Sequence, residues 1–378
     1  MLYFEGWEME AAKEPILVET KWIKMLEEQP DMEAVKEAGH IIREGGLVAF
    51  PTETVYGLGG DGLNKKAAEK IYAAKGRPSD NPLIIHIANR HDLERLIKKL
   101  PVKAERLADA FWPGPLTMIF HKSAEVPYET TGGLPTVAVR YPNHPVALAL
   151  IRESGGFIAA PSANTSGRPS PTSGSHVYED LQGRIEMLLD SGEVGIGIES
   201  TIVDMTVEPP MILRPGFITE EMISEVIDSV VVDKTTQKEI AGMAPKAPGM
   251  KYRHYAPKGE LTIVSGNSQE VKDTINALLK SAKEKGLRTG VIGTEENMEF
   301  YRADIKMNAG KKEDELTVAR RLYGILREFD EKKADVIYSE AFPGTGVGQA
   351  VMNRLLKAAG HKVIRAQQRG EGNDSNWQ

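Results

Sequence analysis

Phe50-Pro-Thr-Glu-Thr-Val-Tyr-Gly-Leu-Gly59, followed by Lys75-Gly-Arg-Pro-Ser-Asp-Asn-Pro-Leu83, is the part of the chain from which the rest is best read. An apolar strand ends at Phe50, and a small polar turn is expected after it. Lys75-Gly-Arg77 follows a helical stretch and is too polar to be core. Two cations, several hydroxyls and two glycines therefore gather at one strand end. Lys offers a point charge and Arg a bidentate fork, which suits phosphate oxygens. The alternative, two cations on a solvated helix end, stays open. The neighbouring Pro and Asn residues, which fix the loop, favour the phosphate reading.

Outward from this stretch, strands and helices alternate. Apolar spacing at Ala34, Val35, Ala38, Ile41 and Ile42 predicts a helix over 32–44, stopped by Gly45-Gly46. Strands are expected at 47–50, 83–87, 116–120, 137–140 and 157–160, and helices at 65–74, 93–111 and 145–153. The pattern predicts an α/β domain with a mixed sheet up to Pro215-Gly216. Residues 228–258 lose long apolar runs and read as a linker. Yet Tyr252, Arg253, His254 and Tyr255 are too rich in binding chemistry for a passive spacer. Beyond it, strands at 261–264, 289–292 and 336–338 alternate with helices at 269–285, 317–332 and 348–359. These predict a small three-layered parallel α/β domain. The boundaries read as 1–14 tag-like, 15–227 first domain, 228–258 linker, 259–366 second domain and 367–378 tail.

Other motifs fall at strand ends. Pro161-Ser-Ala-Asn-Thr-Ser-Gly167 follows the 157–160 strand; it reads as a ligand-facing loop or as a plain turn. Arg140 closes the strand after Gly132-Gly-Leu-Pro-Thr136. A buried Arg needs an anion, either a substrate carboxylate or a local Glu. Gly197-Ile-Glu-Ser-Thr-Ile-Val203 and Ile212-Leu-Arg-Pro-Gly216 add hydroxyls and Arg214. Gly344-Thr-Gly-Val-Gly348 echoes a dinucleotide loop, but it is incomplete and late in its domain.

Composition narrows the classes. The 378 residues carry a net charge of -7, are 41% apolar and 27% charged, and include no cysteine. Disulfides, thiolate zinc sites and cysteine nucleophiles are excluded, and a reducing cytoplasm fits. The acidic balance does not advertise nucleic-acid binding. No apolar run is long enough for a membrane span. There is no P-loop motif, no His spacing typical of zinc and no Gly-x-Ser-x-Gly elbow.

Taken in order, the blocks 50–59, 75–86, 111–117, 132–140, 160–167, 199–203 and 213–216 resemble the YrdC-like domain. Pro248-Gly-Met-Lys-Tyr-Arg-His-Tyr-Ala-Pro257 and Gly346-Val-Gly-Gln-Ala-Val-Met-Asn-Arg354 resemble the linker and C-terminal domain of two-domain threonylcarbamoyl-AMP synthases. The resemblance implies a twisted mixed α/β sheet with a concave basic cavity, followed by a Rossmann-like domain. It implies formation of threonylcarbamoyl-AMP and pyrophosphate from L-threonine, bicarbonate or CO2 and ATP, with Mg²⁺. The product would serve the cytoplasmic machinery that modifies tRNA adenosine beside the anticodon. Carried over by motif, ATP would meet Lys75, Arg77, Asn81, Thr136, Ser162, Asn164, Ser170, Arg214 and His254. L-Threonine would meet Thr54, His86, Arg140, Ala160 and Ser200. Lys75 and Arg77 would be catalytic, no protein side chain is identified as a metal ligand, and the linker would act as a lid. Two rivals are an RNA-binding YrdC-like module without adenylate synthesis and a carbamoyl-phosphate-dependent transferase. The C-terminal domain itself is expected to be a structural or partner-docking unit.

Overall fold

The computed structural model describes residues 18–233 and 254–366. The expected tag-like start, the tail, and Tyr252 and Arg253 of the linker lie outside the described residues.

Among the described residues, eleven strands form one mixed sheet, in the spatial order Lys21–Lys24, Met187–Asp190, Val48–Phe50, Gly57–Asp61, Ile158–Ala159, Ile84–His86, Thr136–Arg140, Leu116–His121, Thr201–Asp204, Met211–Arg214 and Val231–Val232. Two departures from the sequence reading stand out. The turn expected after Phe50 is present, closed by the Thr52 hydroxyl on Val55, but it leads into an unexpected central strand, Gly57–Asp61, paired antiparallel with Val48–Phe50. Its glycines are there for close approach: a Cβ at Gly59 would lie 2.8 Å from Ile158 and 2.9 Å from the Phe50 ring. The single helix expected over 93–111 is two, Leu93–Leu96 and Val102–Phe111. Pro101 biases the residue before it away from the helical region, which breaks the run. The expected linker also begins later than residue 228, since Val231–Val232 still pairs with the first sheet.

Local signals explain the helices that matter for the cavity. Asn64 caps the helix Lys65–Lys75 by accepting from the Lys66 N–H at 3.0 Å. Gly76 ends it in the left-handed region, at φ 62°, and the Arg77 N–H bonds back to the Tyr72 carbonyl at 2.9 Å. The Lys-Gly-Arg spacing is thus a helix ending in which glycine supplies the turn and the two cations leave the same helix end.

The second unit is a parallel sheet of five strands, in the order Ile305–Asn308, Thr289–Gly293, Val336–Glu340, Glu260–Ser265 and Val363–Arg365. The helix Ser268–Glu284 covers one face, through Val271, Ile275 and Leu279. The helices Glu315–Glu331 and Gly346–Ala358 cover the other. Their outer side packs against the first unit: Val55, Ile198 and Tyr255 share one buried cluster with Val318, Ala319, Leu322 and Tyr323. The glycine-rich 344–348 loop is closed from within, because the Gly348 N–H donates to Glu315 Oε2 at 2.8 Å.

A basic cavity as candidate active site

Strand register assembles the cavity's first group. His86 lies opposite Arg140 in the parallel pair, and Arg140 lies opposite Thr117 in the antiparallel one. Thr117 Oγ1 is 2.8 Å from Ser200 Oγ. One row of strand ends therefore carries an imidazole, a guanidinium and two hydroxyls. The irregular register between Ile212 and Arg214 turns Arg214 toward this row. Its Nε donates to the Ser200 carbonyl at 3.0 Å and its Nη2 to Ser200 Oγ at 3.2 Å.

The loop after Ile158–Ala159 supplies the opposite wall. It is stitched to the Phe50–Gly59 block by Leu58 N–H to Pro161 O (2.8 Å), Ala163 N–H to Tyr56 O (2.8 Å) and Tyr56 N–H to Pro171 O (3.0 Å). Lys75 Nζ donates to the carbonyls of Ser162 and Asn164, both at 2.5 Å. Its third donor reaches only 3.4 Å toward Asn164 Oδ1, a weak contact that a phosphate oxygen can replace. Ser162 donates to Asn164 Oδ1 at 2.5 Å, so the loop's polar groups are fixed before any ligand arrives. Tyr255 covers this side: it is buried against Tyr323, with ring centroids 5.0 Å apart, and the Ala256 N–H donates to Gly167 O at 3.0 Å.

Between these walls is a cavity of about 70 Å³. Among the described residues its charged lining is Lys75, Arg77, Arg140, Arg168 and Arg214 against the single carboxylate of Glu199. A chain with net charge -7 therefore concentrates positive charge at one point. Burial and the Arg77 guanidinium hold Lys75 well below its ordinary value. Arg77 Nη2 donates to the carbonyls of Asn81 (3.2 Å) and Pro82 (3.0 Å), and burial pulls Arg77 down to about 10. Burial, helped by Arg140, pushes His86 down to about 3, so its ring is neutral at ordinary pH. Burial would raise Glu199, but Arg354, Arg214 and the Ser170 hydroxyl outweigh it and hold the carboxylate at about 2.

The question left open for Arg140 has a local half-answer. Its Nη2 lies 2.7 Å from Glu53 Oε2, an ion pair whose alignment is not that of a hydrogen bond. Arg140 Nε and Nη2 have no hydrogen-bond acceptor among the described residues, and neither does Arg77 Nε. Buried guanidinium donors of this kind are costly unless an anion completes them.

Of the residues named from sequence, Lys75, Arg77, His86, Arg140, Ala160, Ser162, Asn164, Ser200, Arg214 and His254 line the cavity. The remaining four stand behind it or apart. Thr54 is fully buried behind Thr52, with its Oγ1 2.9 Å from Thr52 Oγ1, and Thr52 is the one that lines. Ser170 donates to Glu199 Oε1 at 2.6 Å. The carbonyl of buried Asn81 accepts from Arg77 and from the Tyr72 hydroxyl. Thr136 opens the strand that ends in Arg140. Sequence reasoning missed Thr52, Arg168 and Glu199. A lone Glu inside the uncharged run Gly197-Ile-Glu-Ser-Thr-Ile was the available signal for a paired buried charge. Among the described residues no group of three or more His, Cys, Asp or Glu is placed to hold a metal ion, and no helix is long and apolar enough to cross a membrane.

Comparison with known proteins gives consistent matches. A family model described as telomere recombination matches residues 40–216, and one described as threonylcarbamoyl-AMP synthase, C-terminal domain, matches 218–360. The threonylcarbamoyl-AMP synthase of Bacillus subtilis is 50% identical over 332 residues, which is 88% of this chain and 94% of that protein. The Schizosaccharomyces pombe enzyme of the same name is 38% identical over 86% of this chain and 88% of its own. The crystal structure of P. abyssi Sua5 complexed with L-threonine superposes with a TM-score of 0.87 at 47% identity, covering 92% of this chain and 99% of that one.

Proposed function

The chain belongs to the family of two-domain threonylcarbamoyl-AMP synthases, and from that premise we propose that its cavity joins L-threonine, bicarbonate or CO2 and ATP into threonylcarbamoyl-AMP, releasing pyrophosphate. The observation that carries this reading is the pairing of two cationic groups in one cavity. Lys75, Arg77 and Arg214 line it together, a cluster of cations suited to phosphate oxygens, and Arg77 acts electrostatically on Lys75 as Arg214 does on Arg77. Arg140, beside neutral His86, presents unmatched donors suited to an amino-acid carboxylate. The P. abyssi protein's complex with L-threonine supports threonine as the amino-acid substrate.

The chemistry follows from this division. Arg140 takes the threonine carboxylate, and the neutral imidazole of His86 adds no competing charge. Threonine's unprotonated amine adds to CO2, the nitrogen loses a proton to solvent to give the carbamate, and the carbamate oxygen attacks the α-phosphate. The bond to the β-phosphate breaks, and negative charge grows on pyrophosphate. Lys75, Arg77 and Arg214 stabilise that charge at fixed positions. An incoming polyanion also reverses the electrostatic strain on Lys75. Mg²⁺ arrives as the ATP complex, a substrate held by phosphates and water. This fits the donors present, because Glu199 is committed to Arg354, Tyr323 and Ser170, and Glu53 to Arg140. His254 and Tyr255 line the cavity, and in this reading they move aside to admit the substrates and return over them. Their return keeps water from the labile adenylate. The product leaves for cytoplasmic enzymes that transfer threonylcarbamoyl to tRNA adenosine beside the anticodon.

The test is pyrophosphate release from ATP by the purified chain with bicarbonate, with and without L-threonine, and with L-serine as control. Threonine-dependent release is expected. Release that ignores threonine, or none, would overturn the reading.

A further inference from the structure

Arg354 ends the motif Gly346-Val-Gly-Gln-Ala-Val-Met-Asn-Arg354, which the chemistry above leaves unused. It lies on the second unit's helix Gly346–Ala358 and is fully buried. Its guanidinium crosses to the first unit. Nε donates to Glu199 Oε2 at 3.1 Å, Nη2 to the Glu199 carbonyl at 3.2 Å, and Nη1 to the Pro215 carbonyl. Glu199 precedes Ser200 and Pro215 follows Arg214 in the sequence. One side chain of the second unit therefore ties together the two segments that carry the cavity's Ser200 and Arg214. Tyr323, on the helix Glu315–Glu331, donates its hydroxyl to the same carboxylate at 2.8 Å.

We propose that Arg354 is a positioning residue for the synthase reaction: by bridging Glu199 and Pro215 it keeps Arg214 directed at the nucleotide. The argument rests on the assignment of Arg214 to phosphate. Glu199 is a buried carboxylate bonded to Arg354 at 3.1 Å, and Arg214, bonded to the adjacent Ser200, acts on it electrostatically. With Arg354 in place, Glu199 is satisfied and Arg214 keeps its two bonds to Ser200. Without it, Glu199 would draw Arg214 off Ser200 and away from the phosphates. The C-terminal unit is then more than a structural or docking appendage, since it holds two of the site's segments in position.

Arg354→Lys in the full chain retains the charge but cannot span three acceptors in a planar fork. The measurements are the KM values for ATP and L-threonine, and the affinity for a non-hydrolysable ATP analogue by calorimetric titration. Arg354→Lys is expected to weaken ATP and its analogue about 10-fold, the scale of one lost bond to a charged group, and to leave the threonine KM within about 2-fold. Tyr323→Phe deletes one hydroxyl and is expected to shift the same two constants in the same direction by a smaller factor. It decides the matter if Arg354→Lys fails to fold. Wild-type constants in a folded variant, or equal losses for both substrates, would overturn the proposal. An inactive wild-type chain would refute the proposed reaction instead, and the analogue titration would still test Arg354.

Discussion

Replacing Arg140 by Lys separates the carboxylate anchor from the local ion pair. Arg140 is 4% exposed and its Nη2 lies 2.7 Å from Glu53 Oε2. Truncation to Met would leave a largely buried Glu53 unpaired, a loss of about 3–5 kcal/mol that confuses folding with binding. Lys keeps a cation for Glu53 but offers one Nζ where Arg offers a fork. The donors with no hydrogen-bond acceptor among the described residues, Nε and Nη2, are the ones lost to threonine. One charge-assisted bond is worth about 1.5–3 kcal/mol, which converts to about 10- to 150-fold in affinity. Steady-state pyrophosphate release should show the threonine KM rising within that range while the ATP KM changes less than about 2-fold. L-Serine shares the carboxylate, so its KM should rise by the same factor and the threonine-to-serine preference should persist. A folded Arg140→Lys protein with a wild-type threonine KM would refute the anchor assignment. A changed preference would place Arg140 at the side chain instead.

Three further outcomes are expected. Arg77→Ala should lower kcat/KM by about 10²–10³-fold, with little change in melting temperature, because among the described residues the side chain bonds two loop carbonyls. His254→Ala/Tyr255→Ala should let ATP be consumed with less threonylcarbamoyl-AMP accumulating, read by chromatography of product against pyrophosphate; an unchanged ratio would make this segment a tether only. Glu199 falls from an ordinary 4.5 to about 2 in the folded chain, so its stabilisation is complete above about pH 4.5 and is lost as the pH falls through 2. The shift corresponds to about 3 kcal/mol. Denaturant titrations should show the wild type losing that much more than Glu199→Gln between those pH values, and parallel curves would contradict it.

The sequence exposed those parts of the molecule where local rules and tertiary context agree. The helix 32–44 and the Lys75-Gly-Arg77 ending were readable because caps, apolar period and a left-handed glycine coincide. The strand Gly57–Asp61 was not, since glycines lower strand propensity and their reason is a distant neighbour, Ile158. Lys75 and Arg77 at a helix end and Arg140 and Arg214 at strand ends were readable as charges out of place in a core, whereas Arg168 was not. Thr52 was hidden because sequence does not say which of the two neighbouring threonines, 52 or 54, the turn presents to the cavity, and Glu199 because its role depends on a partner from the other unit. Arg354 was hidden for the same reason: on a helix of period 3.6 it shares the apolar face of Val351, Leu355 and Ala358, where an arginine has no local meaning.

The interface between the two units argues for orientation over adhesion. Val55, Ile198, Val318, Ala319 and Leu322 already supply an apolar contact that would hold them together. Two fully buried arginines add a heavy desolvation cost that an apolar pair would avoid. Each spends its donors on cavity walls. Arg327 bonds Asp180 at 3.1 and 2.9 Å and the Pro169 carbonyl at 2.6 Å, and Asp180 in turn accepts from Thr165 N–H at 3.1 Å in the Ser162–Ser170 loop. Arg354 does the same for residues 199 and 215. Apolar contacts tolerate sliding, whereas a guanidinium bonded to several acceptors has one position. The charges at this interface are therefore best explained by the site they fix, and substitutions there should alter substrate constants before they separate the units.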